Sequence, residues 1–348
     1  MFIRHFALLF SLLFSLALCA QDEYILPYSA TSVDEQKASE AVYLAYPTAI
    51  KDQVPGQRCG TEYSGGLFSV AENRQVMFAP GNLQYQASTG TWRFATNQYD
   101  YVGDATNGNV SEGGVKCDNG KVSGSYSGWI DLFGWGTSGW NSGANAYQPY
   151  STSTSYSDYY PGSSSGNNLT GEYANADWGI YNQIGSDPAG TWRTLTKDEW
   201  VYLFYTRPNA ATLFGLGSVA GVNGTILLPD GWELPSGVTF TPSTSAGLAD
   251  QGTYFYNSSG NNFSHNTYTA VQWQKIMEPS GAVFLPASGD RYGTAVNLAG
   301  QGGGYWSSTQ YDANYAYYLY FRSYGLNPQG YYYRYYGGSV RLARVVEE

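Results

Sequence analysis

From Gly65 onward the chain alternates short apolar runs with polar turns. Phe68, Val70, Val76 and Phe78 interleave with polar neighbours, the period of two that a half-buried strand pair requires. Residues 225–229 (Ile226, Leu227, Leu228) and 282–286 (Val283, Phe284, Leu285) are short unbroken apolar runs and predict buried strands. Residues 339–344 alternate again, with Val340 and Leu342 on one side. Two segments change period. Thr196 followed by Glu199 is a capping-box pair, in which the hydroxyl takes an end N–H and the carboxylate reaches back. Trp200, Leu203 and Phe204 then share a helical face. Thr269 and Gln272 repeat the device ahead of Ala270, Trp273 and Met277, and Pro279 stops the run. The pattern predicts an α+β chain of mostly short antiparallel strands and long loops with two helices.

The ends read differently. Arg4 and His5 precede an apolar run over 6–20, too short to span a membrane, and Gln21, Asp22 and Glu23 follow at once. Residues 1–20 therefore predict a secretion signal cut near Ala20, and an exported protein at the cell surface or outside the cell. A lipid anchor at Cys19 is the less favoured form, because Leu18 stands where such sites want a small residue. Residues 21–64 read as a tether and 65–346 as one elaborated domain. Within it, 141–171 is rich in Ser, Asn, Gly and Tyr and predicts a long surface loop. Cleavage would leave Cys59 and Cys117, either a disulfide or two unrelated small core residues.

Composition narrows the function classes. Charged residues are 13% of the 348, against about 25% in an ordinary globular chain. The formal charge of −10 disfavours nucleic-acid binding, which needs a basic face. Beyond the signal only His265 remains, so a multi-histidine metal site is excluded and His-based catalysis has one candidate in no recognisable motif. The run Gly302-Gly303-Gly304 lacks the Lys-Ser/Thr of a phosphate loop. The expectation is no catalytic residue, no metal and no cofactor.

Tyrosine is the informative residue. Twelve of the 34 tyrosines lie between residues 305 and 344. If Leu319 and Phe321 face the core, alternation sends Tyr318, Tyr320 and Arg322 outward together. Exposed Tyr mixed with Arg, Asn, Ser and Gly has the make-up of an antibody paratope. A contiguous aromatic patch marks an interaction site more often than scattered aromatics do. The candidate contacts are Tyr311, Asn314, Tyr315, Tyr318, Tyr320, Arg322, Tyr324, Asn327, Tyr331, Tyr332, Tyr333, Tyr335 and Tyr336.

Several motifs carry a resemblance. Residues 192–200 (Trp-Arg-Thr-Leu-Thr-Lys-Asp-Glu-Trp) resemble the helix entry of the formylglycine-generating-enzyme-like branch of the C-type lectin fold. Residues 281–287 (Gly-Ala-Val-Phe-Leu-Pro-Ala), 304–309 (Gly-Tyr-Trp-Ser-Ser-Thr) and 339–344 (Ser-Val-Arg-Leu-Ala-Arg) follow in that fold's order. The resemblance covers roughly 65–344 and implies a C-type-lectin-like fold. The branch's oxidising enzymes carry a late cysteine pair, whereas no Cys lies beyond Cys117 here. Calcium-dependent lectins carry a Trp-Asn-Asp element, also absent, and Asn327-Pro328-Gln329 only echoes their second motif. The closer likeness is to variable proteins of diversity-generating retroelements and to related lectin-like surface proteins of Bacteroidetes. That likeness implies a Trp-Ser-Ser to Ser-Val-Arg frame whose intervening residues are rewritten, with Trp306, Leu319, Phe321, Val340 and Leu342 as frame. The expected function is non-enzymatic recognition of a protein or glycan through the Tyr-rich face. A divergent formylglycine-generating-type enzyme and a surface-coat or assembly protein are the alternatives.

Overall fold

The computed structural model describes residues 65–243 and 263–346. The signal, the tether, Cys19 and Cys59 lie outside the described residues. The domain is α+β, built mostly of short antiparallel strands. Strands β1 (Phe68–Ala71) and β2 (Arg74–Phe78) form the predicted hairpin, and the last strand, β17 (Ala343–Val346), pairs antiparallel to β2. The first and last strands thus share one sheet. β3 (Leu83–Gln86) lies between β4 (Thr91–Phe94) and β7 (Trp129–Ile130), and β5 (Ser111–Glu112) pairs with β6 (Val115–Lys116). β8 (Phe214–Val219), β9 (Val222–Leu227) and β11 (Val283–Pro286) are antiparallel, and β10 (Thr267–Tyr268) joins β8 in parallel. β12 (Asp290–Tyr292) and β13 (Ala295–Asn297) form a small hairpin. The tyrosine segment makes a three-stranded sheet of β14 (Gly302–Gln310), β15 (Tyr315–Arg322) and β16 (Gly325–Tyr333).

After a single turn, α1 (Trp178–Tyr181), the two predicted helices follow as α2 (Lys197–Val201) and α3 (Ala270–Gln272). Both capping boxes are closed. Thr196 Oγ1 accepts the Glu199 N–H at 3.2 Å while Glu199 Oε2 accepts the Thr196 N–H at 2.8 Å. Thr269 and Gln272 do the same at 3.1 and 3.0 Å. Each helix passes directly into a π-helical turn, Tyr202–Thr206 and Trp273–Met277. Trp200, Leu203 and Phe204 of the first stripe and Trp273 and Met277 of the second are fully buried, while Ala270 is half-buried. Among the described residues no helix is long and apolar enough to cross a membrane.

Two sequence expectations are corrected. Residues 339–342 are not a strand. Ser339 makes only an isolated bridge to Tyr305, and regular pairing starts at Ala343. Val340 and Leu342 are buried as read, but so is Arg341 between them. Its guanidinium donates to the carbonyls of Ala79 (3.1 Å) and Phe284 (2.7 Å) and to Asn82 Oδ1 (3.1 Å). The 141–171 insertion is not a surface loop throughout, since Tyr159 and Leu169 are buried. The Tyr159 ring occupies the space over Gly134, where an added Cβ would fall 2.3 Å from it, and the Leu169 N–H bonds Ser308 O at 2.9 Å. The second helical run, α3 with its π-turn, ends at Met277, two residues before Pro279, as the sequence predicts. Cys117 is buried and its Sγ accepts the Trp129 N–H at 3.2 Å. Burial raises that thiol's pKa above its ordinary value.

Candidate functional site: the tyrosine sheet

The sheet β14–β15–β16 is clamped between two parts of the core. One face carries Tyr305, Leu319, Phe321 and Leu326 into the cluster around Trp200 and Phe204. The other carries Trp306, Ala316 and Tyr318 into the cluster around Trp135, Trp178, Val340 and Leu342. The five frame residues expected from the sequence are all buried.

The alternation within β15 explains which tyrosines emerge. Tyr315 pairs with Tyr333 and Tyr317 with Tyr331; past Tyr318 the register slips before Tyr320 meets Asn327. Leu319 and Phe321 share the parity of Tyr315 and Tyr317. That face is core in its second half and emerges at its first. Tyr311, Tyr315, Tyr317, Tyr331 and Tyr333 gather there. Tyr311 stacks on Tyr331 at 4.3 Å between ring centroids, and Tyr317 meets Tyr311 edge-on at 5.0 Å. Tyr315 contacts Tyr333 at 4.4 Å, and a hydrogen bond to Tyr333 pushes the Tyr315 hydroxyl pKa up to about 12. Tyr331 keeps 50% of its surface exposed and Tyr311 40%.

The rings continue around the sheet end. Tyr333 stacks on Tyr335 at 5.0 Å, Tyr335 contacts Tyr336 at 5.3 Å, and Tyr336 contacts Tyr332 at 4.3 Å. Tyr332 in turn stacks on Tyr318 at 5.4 Å. Tyr320 and Arg322 lie half-buried beyond, with Arg322 Nε donating to the Tyr320 hydroxyl. Tyr324, in the β15–β16 turn, is 44% exposed. Asn314 is half-buried in the preceding turn, where Asp312 Oδ1 accepts its N–H at 2.7 Å.

Two candidate contacts are not surface residues. Tyr318 is only 7% exposed, because glycines flank it across the sheet. Added Cβ atoms on Gly304 and Gly330 would fall 2.5 and 3.1 Å from its ring, so the ring lies flat over backbone and against Trp306. The outward trio read from simple alternation is thus reduced to Tyr320 and Arg322. Asn327 is buried, and its Oδ1 accepts the Gln329 N–H at 3.0 Å, shaping the strand. Conversely, the belt includes two rings absent from the sequence list. Tyr317 is half-buried beside Tyr315 on the same face and pairs with Tyr331. Tyr292 lies outside the tyrosine segment on β12, is 43% exposed, and contacts Tyr335 and Tyr336 at 5.8 and 5.2 Å.

Arg334 pins this end of the sheet. It is buried, with its guanidinium over Trp135 at 4.6 Å and Tyr160 at 5.1 Å. Its Nη2 donates to Ser165 O at 2.5 Å and Asp312 O at 2.7 Å. The insertion, the β14–β15 turn and the belt are thereby tied to one side chain. Burial lowers its pKa to about 10, which leaves it cationic at neutral pH.

A family model described as a domain of unknown function, DUF8237, matches residues 250–343, a stretch that takes in the whole tyrosine sheet. No curated protein and no solved structure matches the chain.

Proposed function

We propose that the protein is an exported binding protein with a C-type-lectin-like scaffold, and that a protein or glycan ligand docks on the tyrosine belt. The observation that carries this reading is the unbroken run of ring contacts from Tyr317 through Tyr311, Tyr331, Tyr315 and Tyr333 to Tyr335 and Tyr336. These rings stand on a sheet whose underside is core, so they are held in place before any ligand arrives. Tyrosine has few rotors to immobilise and offers both an apolar face and a hydroxyl. The frame beneath is separate from the exposed rings, so the rings are replaceable without repacking the core. This fits the diversified family that the sequence resembles.

The test is a ligand screen with displayed wild-type chain, followed by the Tyr311→Ala/Tyr331→Ala double variant. Tyrosine hot spots contribute about 2 kcal/mol or more each, so the variant should lose binding at least ~100-fold with its melting temperature held. Capture that survives in the double variant would exclude the belt as the ligand face. Sequencing the 3′ end of the gene across related isolates checks diversification. Changes confined to codons between Trp306 and Arg344, at the exposed tyrosines, are the expected result.

A further inference from the structure

Tyr315 and Tyr333 stand directly opposite each other on β15 and β16. Their ring centroids lie 4.4 Å apart, with the planes 35° from parallel. The Tyr315 hydroxyl donates a hydrogen bond to that of Tyr333, and this contact, more than burial, raises its pKa. The oxygen-bearing ends of the two rings therefore meet, and so do the ring carbons ortho to each oxygen. Both rings are half-buried, where the face emerges from the core. Tyr332 and Tyr336 come as close, at 4.3 Å, but there burial dominates, and the Tyr332 ring stacks on the buried Tyr318. Oxidation of a phenol needs somewhere for its proton to go, which favours the Tyr315–Tyr333 pair.

Contact between the ortho carbons of two phenols permits a particular reaction. Removing an electron and the hydroxyl proton from tyrosine leaves a phenoxyl radical, with unpaired density on the oxygen and the ortho carbons. Two such radicals held together couple at those carbons. We propose that Tyr315 and Tyr333 are a site of oxidative cross-linking, where a peroxidase using hydrogen peroxide joins their Cε carbons into a dityrosine staple between β15 and β16. Each phenol gives one hydrogen atom, as electron and proton, to the peroxidase, and the peroxide is reduced to water. The two unpaired electrons form the Cε–Cε bond. The proton on each bonded carbon then shifts to the oxygen of its ring and restores the phenol. Two tyrosines and one peroxide thus become one dityrosine and two waters. The oxidant meets Tyr311 and Tyr331 first, because both are exposed. They lie 6.2 and 5.4 Å from Tyr315, close enough for Tyr315 to pass an electron to an oxidised neighbour. A phenol that donates a hydrogen bond gives up its electron more readily, so oxidation settles on the bonded pair.

The test is treatment of the full chain with a haem peroxidase and limiting hydrogen peroxide, at protein concentrations low enough to suppress collisions between chains. The monomer should lose the mass of two hydrogens and gain the blue fluorescence of a biphenol. Trypsin cuts after Arg322 and Arg334 and so separates Tyr315 from Tyr333. In the treated monomer the peptides 292–322 and 323–334 should stay joined, and fragmentation of the joined pair should place the link at Tyr315 and Tyr333. Tyr315→Phe and Tyr333→Phe keep the ring but remove the phenol, and each should abolish the link. Tyr311→Phe should retain it, since Tyr331 remains as an entry point. The proposal is overturned if the monomer keeps its mass, or if only dimers between chains form. It is equally overturned if peptide 323–334 is joined instead to 335–341, as a Tyr332–Tyr336 link would require, or if either Phe variant of the pair cross-links as wild type does. Its failure leaves the ligand reading of the belt untouched, because binding does not need the bond.

Discussion

Tyr318 and Tyr331 come from the same tyrosine-rich segment, yet one keeps 7% of its surface exposed and the other 50%. Tyr318 packs against Trp306 and Tyr332, so truncation opens a cavity in the core. Tyr318→Ala should cost about 3 kcal/mol, as large-to-small aromatic substitutions in cores do, read as a lowered denaturation midpoint. Tyr331 stacks on Tyr311 in the open, an arrangement worth about 1 kcal/mol. Tyr331→Ala should therefore shift the midpoint only slightly. Equal losses from the two would erase the distinction between frame and face. Sequence alone does not separate these residues. Tyr315 and Tyr317 share the parity of the core residues Leu319 and Phe321 yet emerge, while Tyr318 reads as surface by alternation and is buried. Parity tells which face a side chain takes, but not whether another layer covers that face at its position.

At the scale of the element, the two capping boxes were legible because their hydrogen bonds close within three residues. Thr196→Ala should remove about 1 kcal/mol. Glu199 is also gripped by Arg193, whose Nη1 and Nη2 lie 2.7 Å from its two oxygens, so Glu199→Gln should cost more than Thr196→Ala in the same chemical melt. The glycine run of β14 was not legible in this way. In sequence it shows only a failed phosphate loop. In the fold, Gly303 and Gly304 admit the Phe321 and Tyr318 rings from opposite sides, each 2.5 Å from where a Cβ would stand. Gly304→Ala should displace Tyr318 and its neighbour Tyr320 at a cost of about 1–3 kcal/mol, and a changed near-ultraviolet circular dichroism spectrum would report the ring shift. No local pattern announces this role, because the partner rings lie on another strand. The same holds for Tyr292, which joins the belt from β12.

For the whole molecule, buried carboxylates set the pH response. Burial pushes the pKa of Asp131 and that of Asp290 up to about 6, and raises those of Asp100 and Asp177. Between pH ~4, the unfolded value, and pH ~6 these groups bind more protons folded than unfolded. Stability from this source is therefore full at the acid side of that window and declines as pH rises through it. Glu199 acts in the opposite sense. Its burial alone would raise its pKa, but Arg193, the Thr196 N–H and Arg74 together outweigh that and hold it below the ordinary value. Its contribution is lost only as pH falls below the usual carboxylate range. Calorimetry should find a melting temperature at pH 5 at or above that at pH 7, with a fall below pH 4. A steady decline from pH 7 to pH 5 would contradict this account.

The pairing of β2 with β17 has a consequence for how altered versions of the chain are sorted. The ring-bearing segment lies between two halves of one sheet, and Phe78 finds its partner Ala343 only after every tyrosine of the belt has been made. A product that stops or shifts frame anywhere in that segment leaves the first hairpin with an open edge. It also lacks Arg341, whose guanidinium binds the carbonyls of Ala79 and Phe284. Folding thus acts as a proofreader of reading frame: an interrupted message yields a clasp that cannot shut, while an in-frame exchange of an exposed tyrosine passes unnoticed.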